Sequence, residues 1–278
     1  MECDVLKQRV ITAFFLLLVS LTAILFFPVT WFQLLFSVVL CLGAWEWSQL
    51  AGLHHRAVRL AYTAWFVPIL YLLLHVTSQV SKMLLSVSVV GWLFALAFIC
   101  LYPRNSQIWK NPLVLLATGC WLLLACWVAM LLLLQQADFV QYILLLLSLV
   151  AAADIGAFFA GRHFGKHKLA PQVSPNKTWE GFAGGILASC AVVWTGTSLL
   201  PLNIIDLSMP LIMIGTVLLA SVSVVGDLFE SMLKRSANVK DSGSLLPGHG
   251  GVLDRIDSIT AALPLYVWLL LQAGLVRW

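Results

Sequence analysis

Charge is scarce in this chain. Only 10% of its 278 residues are Asp, Glu, Lys or Arg, where a soluble domain carries about a quarter. That scarcity excludes a water-facing globular surface over most of the length. The six cysteines do not help to build one either. Cys41, Cys100, Cys120, Cys126 and Cys190 lie in apolar runs and Cys3 stands at the N-terminus. No zinc-type spacing relates them, so neither a disulfide framework nor a structural metal is expected. There is no Gly-Lys-Ser/Thr phosphate loop, which excludes a Walker-type nucleotide site. Internal repeats, low-complexity tracts and soluble linkers are absent too, so residues 1–278 read as one membrane domain. Within it, 1–135 reads as a lipid-embedded scaffold of helices, and 140–278 as the catalytic helices with their loops.

What the chain has in abundance is oil. It is 61% hydrophobic, with a mean hydropathy of +0.97. Apolar runs fall at about 10–27, 31–51, 58–76, 83–102, 113–135, 140–161, 181–200, 210–230 and 259–276, each close to the ~20 residues that cross a bilayer as a helix. A backbone in lipid must satisfy its own hydrogen bonds, and helices do so. The expectation is therefore an all-α, polytopic integral membrane protein of about nine transmembrane helices. Pro68 interrupts the third run and Asp154 the sixth. The first run has no small-residue cleavage site after it and reads as a retained span.

Assigning loops to alternate sides sorts the basic residues sharply. Fourteen of the sixteen Lys and Arg residues fall on one side, and only Lys82 and Arg277 on the other. Positive loops stay inside, so the N-terminus is expected in the cytoplasm and the C-terminus outside, in a cell (inner) membrane.

The scarce charge is also clustered. Between Gly226 and Asp257 stand five of the twelve acidic residues: Asp227, Glu230, Asp241, Asp254 and Asp257. Lys234, Arg235, Lys240, His249 and Arg255 are interleaved with them, with Gly243, Gly248, Gly250 and Gly251. Positions 227, 230, 231 and 234 share one helix face, which presents two carboxylates, the Ser231 hydroxyl and an ammonium. An ion-paired helix end would look the same. The bend Leu246-Pro247-Gly248-His249-Gly250-Gly251 lets backbone approach a ligand closely, and Asp254 and Asp257 would point the same way from a following helix. Such carboxylates suit a hard divalent cation shared with substrate phosphates. Asp227, Asp254 and Asp257 form the expected metal set, of one ion or two, and His249 either binds a phosphate or shapes the turn.

Two further features come earlier. Asp154 sits among apolar residues, where a carboxylate is costly unless it has a partner or faces a polar cavity, so it is a site candidate. In Ser174-Pro175-Asn176-Lys177-Thr178, Ser174 suits an N-cap and Pro175 the first helical position, which would put Lys177 in a helix's first turn as a phosphate ligand. Glu46, in Ala-Trp-Glu-Trp, reads better as an interfacial residue between belt tryptophans than as part of a site.

The run Ser231-Met-Leu-Lys234-Arg235, then Lys240-Asp241-Ser-Gly243, then Leu246 through Asp257 resembles the signature of the phosphatidate cytidylyltransferases, the CDP-diacylglycerol synthases. The likeness is specific over about 151–260 and extends to Asp154 and to Ser174 through Gly181, including Thr178 and Glu180. It implies a dimeric membrane enzyme joining CTP to phosphatidic acid with Mg²⁺, and no nucleic-acid partner. Whether a monovalent cation shares the site stays open. Asp227, Lys234, Asp254 and Asp257 would be catalytic. Lys177, Lys234, Arg235 and Arg255 would hold phosphates, with Glu230, Ser231, Lys240, Asp241, Gly250 and Gly251 lining the substrate. A CTP-dependent kinase of a polyprenol-type alcohol is the rival enzyme, and a transporter with Asp154, Asp227 and Glu230 along an ion path is the rival of another class.

Overall fold

The computed structural model describes residues 2–199, 207–246, 248 and 250–276, with side chains from Ile11 onward apart from that of Leu199. Among these residues nine α-helices follow one another: α1 (Glu2–Phe26), α2 (Val29–Leu50), α3 (Arg56–Leu73), α4 (Ser78–Leu101), α5 (Pro112–Leu134), α6 (Phe139–Phe164), α7 (Trp179–Leu199), α8 (Met209–Ser236) and α9 (Leu253–Gln272). Their bounds follow the apolar runs closely. Neither interruption breaks a helix: α3 continues through Pro68 and α6 through Asp154. Six of the helices, α2 and α4 to α8, are long and apolar enough to cross a membrane. The chain is a multi-pass membrane protein.

Among the described residues the one sheet is a two-stranded antiparallel hairpin, β1 (Lys168–Ala170) and β2 (Ser174–Thr178), between α6 and α7. This corrects the expectation of a helix start at Ser174-Pro175. Ser174 pairs with Ala170, and Thr178 with Lys168. Pro175 fits because a two-stranded hairpin has an outer edge that needs no N–H at that position. Helix α7 begins only after Thr178, whose Oγ1 accepts the Gly181 N–H at 3.1 Å. Lys177 therefore lies on a strand, not in a helix's first turn.

Helix α5 is the central post, the one span with more than half of its apolar window buried. Asn111 caps it by accepting the Leu113 N–H, with Pro112 at the first helical position, where a missing N–H does no harm. Neighbours are pinned to it through tryptophan and tyrosine donors. Trp127 Nε1 donates to Leu70 O in the last turn of α3, a carbonyl with no partner inside its own helix. Trp47 Nε1 of α2 donates to Leu115 O at 2.6 Å, and its ring leaves no room for a side chain at Gly119. Tyr62 donates its hydroxyl to Leu116 O. Phe98, Trp109, Phe229 and Trp92 meet edge to face in sequence, tying α4 and the short helical turn Ile108–Lys110 to α8.

Helices α6 and α7 touch through backbone. A Cβ at Gly185 would come 2.6 Å from Ala153 O, and one at Gly156 2.7 Å from Gly184 O. Small residues permit this approach, which is how helices associate when lipid offers no hydrophobic drive between them. Helices α8 and α9 cross as closely, with Gly226 facing the Asp257 carbonyl. These two crossings bring the ends of α6, α8 and α9 together, and the charged residues lie there.

Candidate active site

Asp227, Glu230, Ser231 and Lys234 lie along α8 as the helical spacing requires. Ser231 Oγ donates to Asp227 Oδ1 at 3.2 Å, and Lys234 Nζ to Glu230 Oε1 at 3.2 Å. The longer-range contacts are the informative ones. Lys177 Nζ, from β2, is 2.7 Å from Asp227 Oδ2. Both side chains stay partly exposed, so this pair is open to a ligand. Asp154 on α6 is within electrostatic reach of Asp227, Lys177 and Arg255. Four separate segments, β2, α6, α8 and α9, thus bring opposite charges to one place.

A second group is buried. Lys234 Nζ also donates to Asp254 Oδ1 at 2.5 Å, with the Asp254 side chain only 6% exposed. The other oxygen of Asp254 accepts from Ser242 N at 3.0 Å, Ser242 Oγ at 3.0 Å and Gly251 N at 2.8 Å. Burial works against ionisation of Asp254, but the Lys234 ammonium and the two backbone donors outweigh it and hold the carboxyl below its usual range. Both oxygens are engaged, so Asp254 serves as the hub of the loop, and Lys234 is the internal counter-ion of both Asp254 and Glu230. Asp257, one turn further along α9, differs. Burial first, then the charge of Asp227, push its carboxyl upward, and its Oδ1 accepts only the adjacent Ser258 N–H among the hydrogen bonds found.

The bend closes tightly. Leu246 N donates to Gly250 O at 2.9 Å, and Gly250 has φ of 81°, a backbone state that costs glycine little. Asp241 packs under it, while Lys240 and Asp241 are exposed at the rim. Arg235 is tied to the β1–β2 turn, its Nε donating to Val173 O at 3.4 Å. Arg255 is exposed beside the site. His249 and Pro247 lie outside the described residues. Glu180 closes the α6–α7 hairpin instead of facing this centre. It accepts the N–H groups of Lys166 and His167 and contacts His167 Nδ1 at 2.6 Å. Ser174 and Thr178 are structural in the same hairpin, as a paired strand residue and a helix cap.

Glu46 overturns the interfacial reading. It is 1% exposed, and its Oε2 accepts the Leu253 N–H at 2.8 Å with Ser242 Oγ 3.2 Å away. The neighbouring tryptophans hid it in the sequence. The signal that was available is the cost of the only acid in an apolar span. Ser242, which no signal in the sequence singles out, is equally central.

Among the described residues, no three Asp, Glu, His or Cys side chains stand together as a ready-made metal cage. Asp257 Oδ2 makes no hydrogen bond or ion pair among the described residues, and Asp227, whose oxygens meet Ser231 and Lys177, stays partly exposed beside it. Such a pair handles polyanions when joined by a cation and by nearby basic side chains.

The sequence model of the cytidylyltransferase family matches residues 7–273. The chain belongs to this family. The chain is 42% identical over 269 residues to a phosphatidate cytidylyltransferase of Pseudomonas aeruginosa, covering 97% of this chain and 98% of that one. It is 38% identical to one of Haemophilus influenzae over 280 residues, covering 94% and 97%. One of Staphylococcus saprophyticus is 45% identical over 137 residues, about half of each chain. The family assignment therefore applies to almost the whole length, scaffold helices included.

Proposed function

We propose that this protein transfers the cytidylyl group of CTP to phosphatidic acid, forming CDP-diacylglycerol and pyrophosphate. The observation that carries the reading is the partly exposed Lys177–Asp227 pair beside Asp257, at one end of a membrane bundle. One substrate stays in the bilayer and the other is a soluble polyanion, so a charged site at a bundle end can meet both.

In this reading the phosphatidate oxygen attacks the α-phosphorus of CTP. The new O–P bond forms as the bond from the α-phosphorus to the bridging oxygen breaks, and pyrophosphate leaves with that electron pair. The nucleophile is already anionic, so no strong general base is required. Lys177 and Arg255 hold phosphate oxygens, and Lys240 supplies further positive charge at the rim. Lys234 acts inward, holding Asp254 and with it the bend over the site.

Mg²⁺ is part of the proposal. It typically binds through one or two carboxylates plus substrate phosphates, and Asp227 with Asp257 fits that need. When bound, it neutralises charge developing on the triphosphate. Asp154 completes the acidic surround.

The charge distribution supports a cytoplasmic site in the cell membrane, and the family resemblance supports a homodimer. A cysteine introduced at exposed Lys240 should react with an impermeant thiol reagent in inside-out vesicles and not in right-side-out ones.

The reaction is tested on purified protein with phosphatidic acid, Mg²⁺ and CTP labelled separately at the α and γ positions. Cytidylyl transfer puts α label in lipid and releases γ label as pyrophosphate. γ label in a lipid alcohol would identify the kinase instead.

A further inference from the structure

Helix α9 begins at Leu253 and brings Asp254, Arg255 and Asp257 into the site within its first turns. A helix start leaves backbone N–H groups without partners, and a capping side chain usually answers them. The residue at the cap position, Val252, makes no side-chain cap. The acceptor comes from α2. Glu46 Oε2 takes the Leu253 N–H at 2.8 Å, across 207 positions of sequence.

The contact is closely fitted. A Cβ at Gly243 would lie 2.4 Å from Glu46 Oε1, and one at Gly251 2.4 Å from Oε2. Two glycines of the bend therefore rest directly on the carboxylate. Ser242 Oγ lies between Glu46 Oε2 at 3.2 Å and Asp254 Oδ2 at 3.0 Å, one hydroxyl proton between two carboxylates. From there the network continues through Lys234 to Glu230. A buried carboxylate is costly unless its oxygens are used, and Glu46 Oε1 has no hydrogen-bond partner among the described residues. Packing alone would be met more cheaply by an apolar side chain.

We propose that Glu46 is a positioning residue for the reaction. From the scaffold half it caps α9 and clamps the Asp241–Gly251 bend, fixing where α9 presents Asp257 to Asp227. It touches no substrate. The inference rests on the cytidylyl-transfer reading for its kinetic consequence, while the clamp itself is a statement about the fold.

The test compares Glu46→Ala, Glu46→Gln and Gly243→Ala in detergent, with turnover per folded molecule and amide hydrogen exchange over 241–253. Misplacement of catalytic groups by about 1 Å costs about 10²-fold in rate. Glu46→Ala should therefore lose about that factor in kcat, with the KM for phosphatidic acid little changed, and the Ser242 and Leu253 amides should exchange faster. Glu46→Gln keeps an acceptor oxygen and should recover most of the rate. Gly243→Ala leaves Glu46 in the chain but pushes its carboxylate away, so it should reproduce the loss, and it carries the test if Glu46→Ala does not fold. Combining it with Glu46→Ala should add little. Wild-type kcat in Glu46→Ala or in Gly243→Ala would overturn the proposal. So would a Glu46→Gln protein as impaired as Glu46→Ala, because charge would then be the role. Wild-type protein without turnover would sink the cytidylyl reading alone. Unchanged exchange at Ser242 and Leu253 in Glu46→Ala would sink the clamp alone.

Discussion

Lys177 Nζ and Asp227 Oδ2, fifty residues apart in sequence, meet at 2.7 Å and join the α6–α7 hairpin to helix α8. The lysine sits on a strand whose register is set by β1 and whose end is fixed by the Thr178 cap. Its ammonium is thus delivered to the carboxylate by a short, tethered element. Lys177→Met should lower kcat/KM for CTP by roughly 10²–10³, the cost of removing one positioned donor. Lys177→Arg keeps the charge with a different geometry and should recover part of it. Initial rates of labelled lipid formation decide this, and a Lys177→Met enzyme at the wild-type rate would remove the lysine from the mechanism.

Asp254 should matter to stability as well as to rate. Replacing it by Asn leaves Lys234 with a poorer partner inside the protein, and breaking a buried pair costs about 3–5 kcal/mol. A clear drop in melting temperature is expected. Its carboxyl is held below the ordinary carboxylate value of about 3.9. A depressed folded value means that the stabilisation is present above the unfolded value and is lost as pH falls through the folded one. The gap between wild type and Asp254→Asn should therefore be full at neutral pH and should narrow only in acid, below about pH 4. Melting curves across pH measure it.

Two glycines in α8 should respond oppositely to alanine. At Gly226 the new Cβ would meet the Asp257 carbonyl at 2.6 Å and Ala261 Cβ at 2.9 Å. Backbone is there, so α9 has to move. Gly226→Ala should destabilise the protein and depress turnover. At Gly215 the nearest atom is Leu269 Cδ1 at 4.0 Å, an ordinary contact, and the helix gains roughly 0.5–1 kcal/mol. Gly215→Ala should melt no lower than wild type at unchanged activity.

Chelation should abolish turnover while leaving the fold intact, since the helices pack through apolar side chains and small-residue seams. Activity should return on adding Mg²⁺. Asp257→Asn should need far more Mg²⁺ to reach half of its own maximal rate, and Asp227→Asn likewise. An enzyme indifferent to chelator would refute the divalent-cation part of the proposal.

Much of this architecture is readable from residues alone because lipid imposes a simple rule. An apolar run of the right length must be a helix, and the runs at 113–135 and 140–161 became α5 and α6 within a few residues. The acidic cluster on α8 and α9 was legible for a similar reason: charge that costs so much in an oily chain has to be used. The failures share another cause. Ser174-Pro175 has the local chemistry of a helix start, yet pairing with Ala170, a tertiary fact, made it a strand. Glu46 was masked by Trp45 and Trp47, and its partners are some two hundred residues away. Asp254 and Lys234 both looked ready for ligands, and spacing along the chain does not reveal that they bind each other.

Helices α6 and α7 meet through glycine and alanine with backbone carbonyls at the seam. Such a joint has no layer of flexible side chains that could rearrange to let the partners slide or part, so the pair behaves as a single stiff pillar. A lipid substrate diffusing in from the bilayer has to enter elsewhere around the bundle. The pillar that carries Lys177 is then the fixed post of the site.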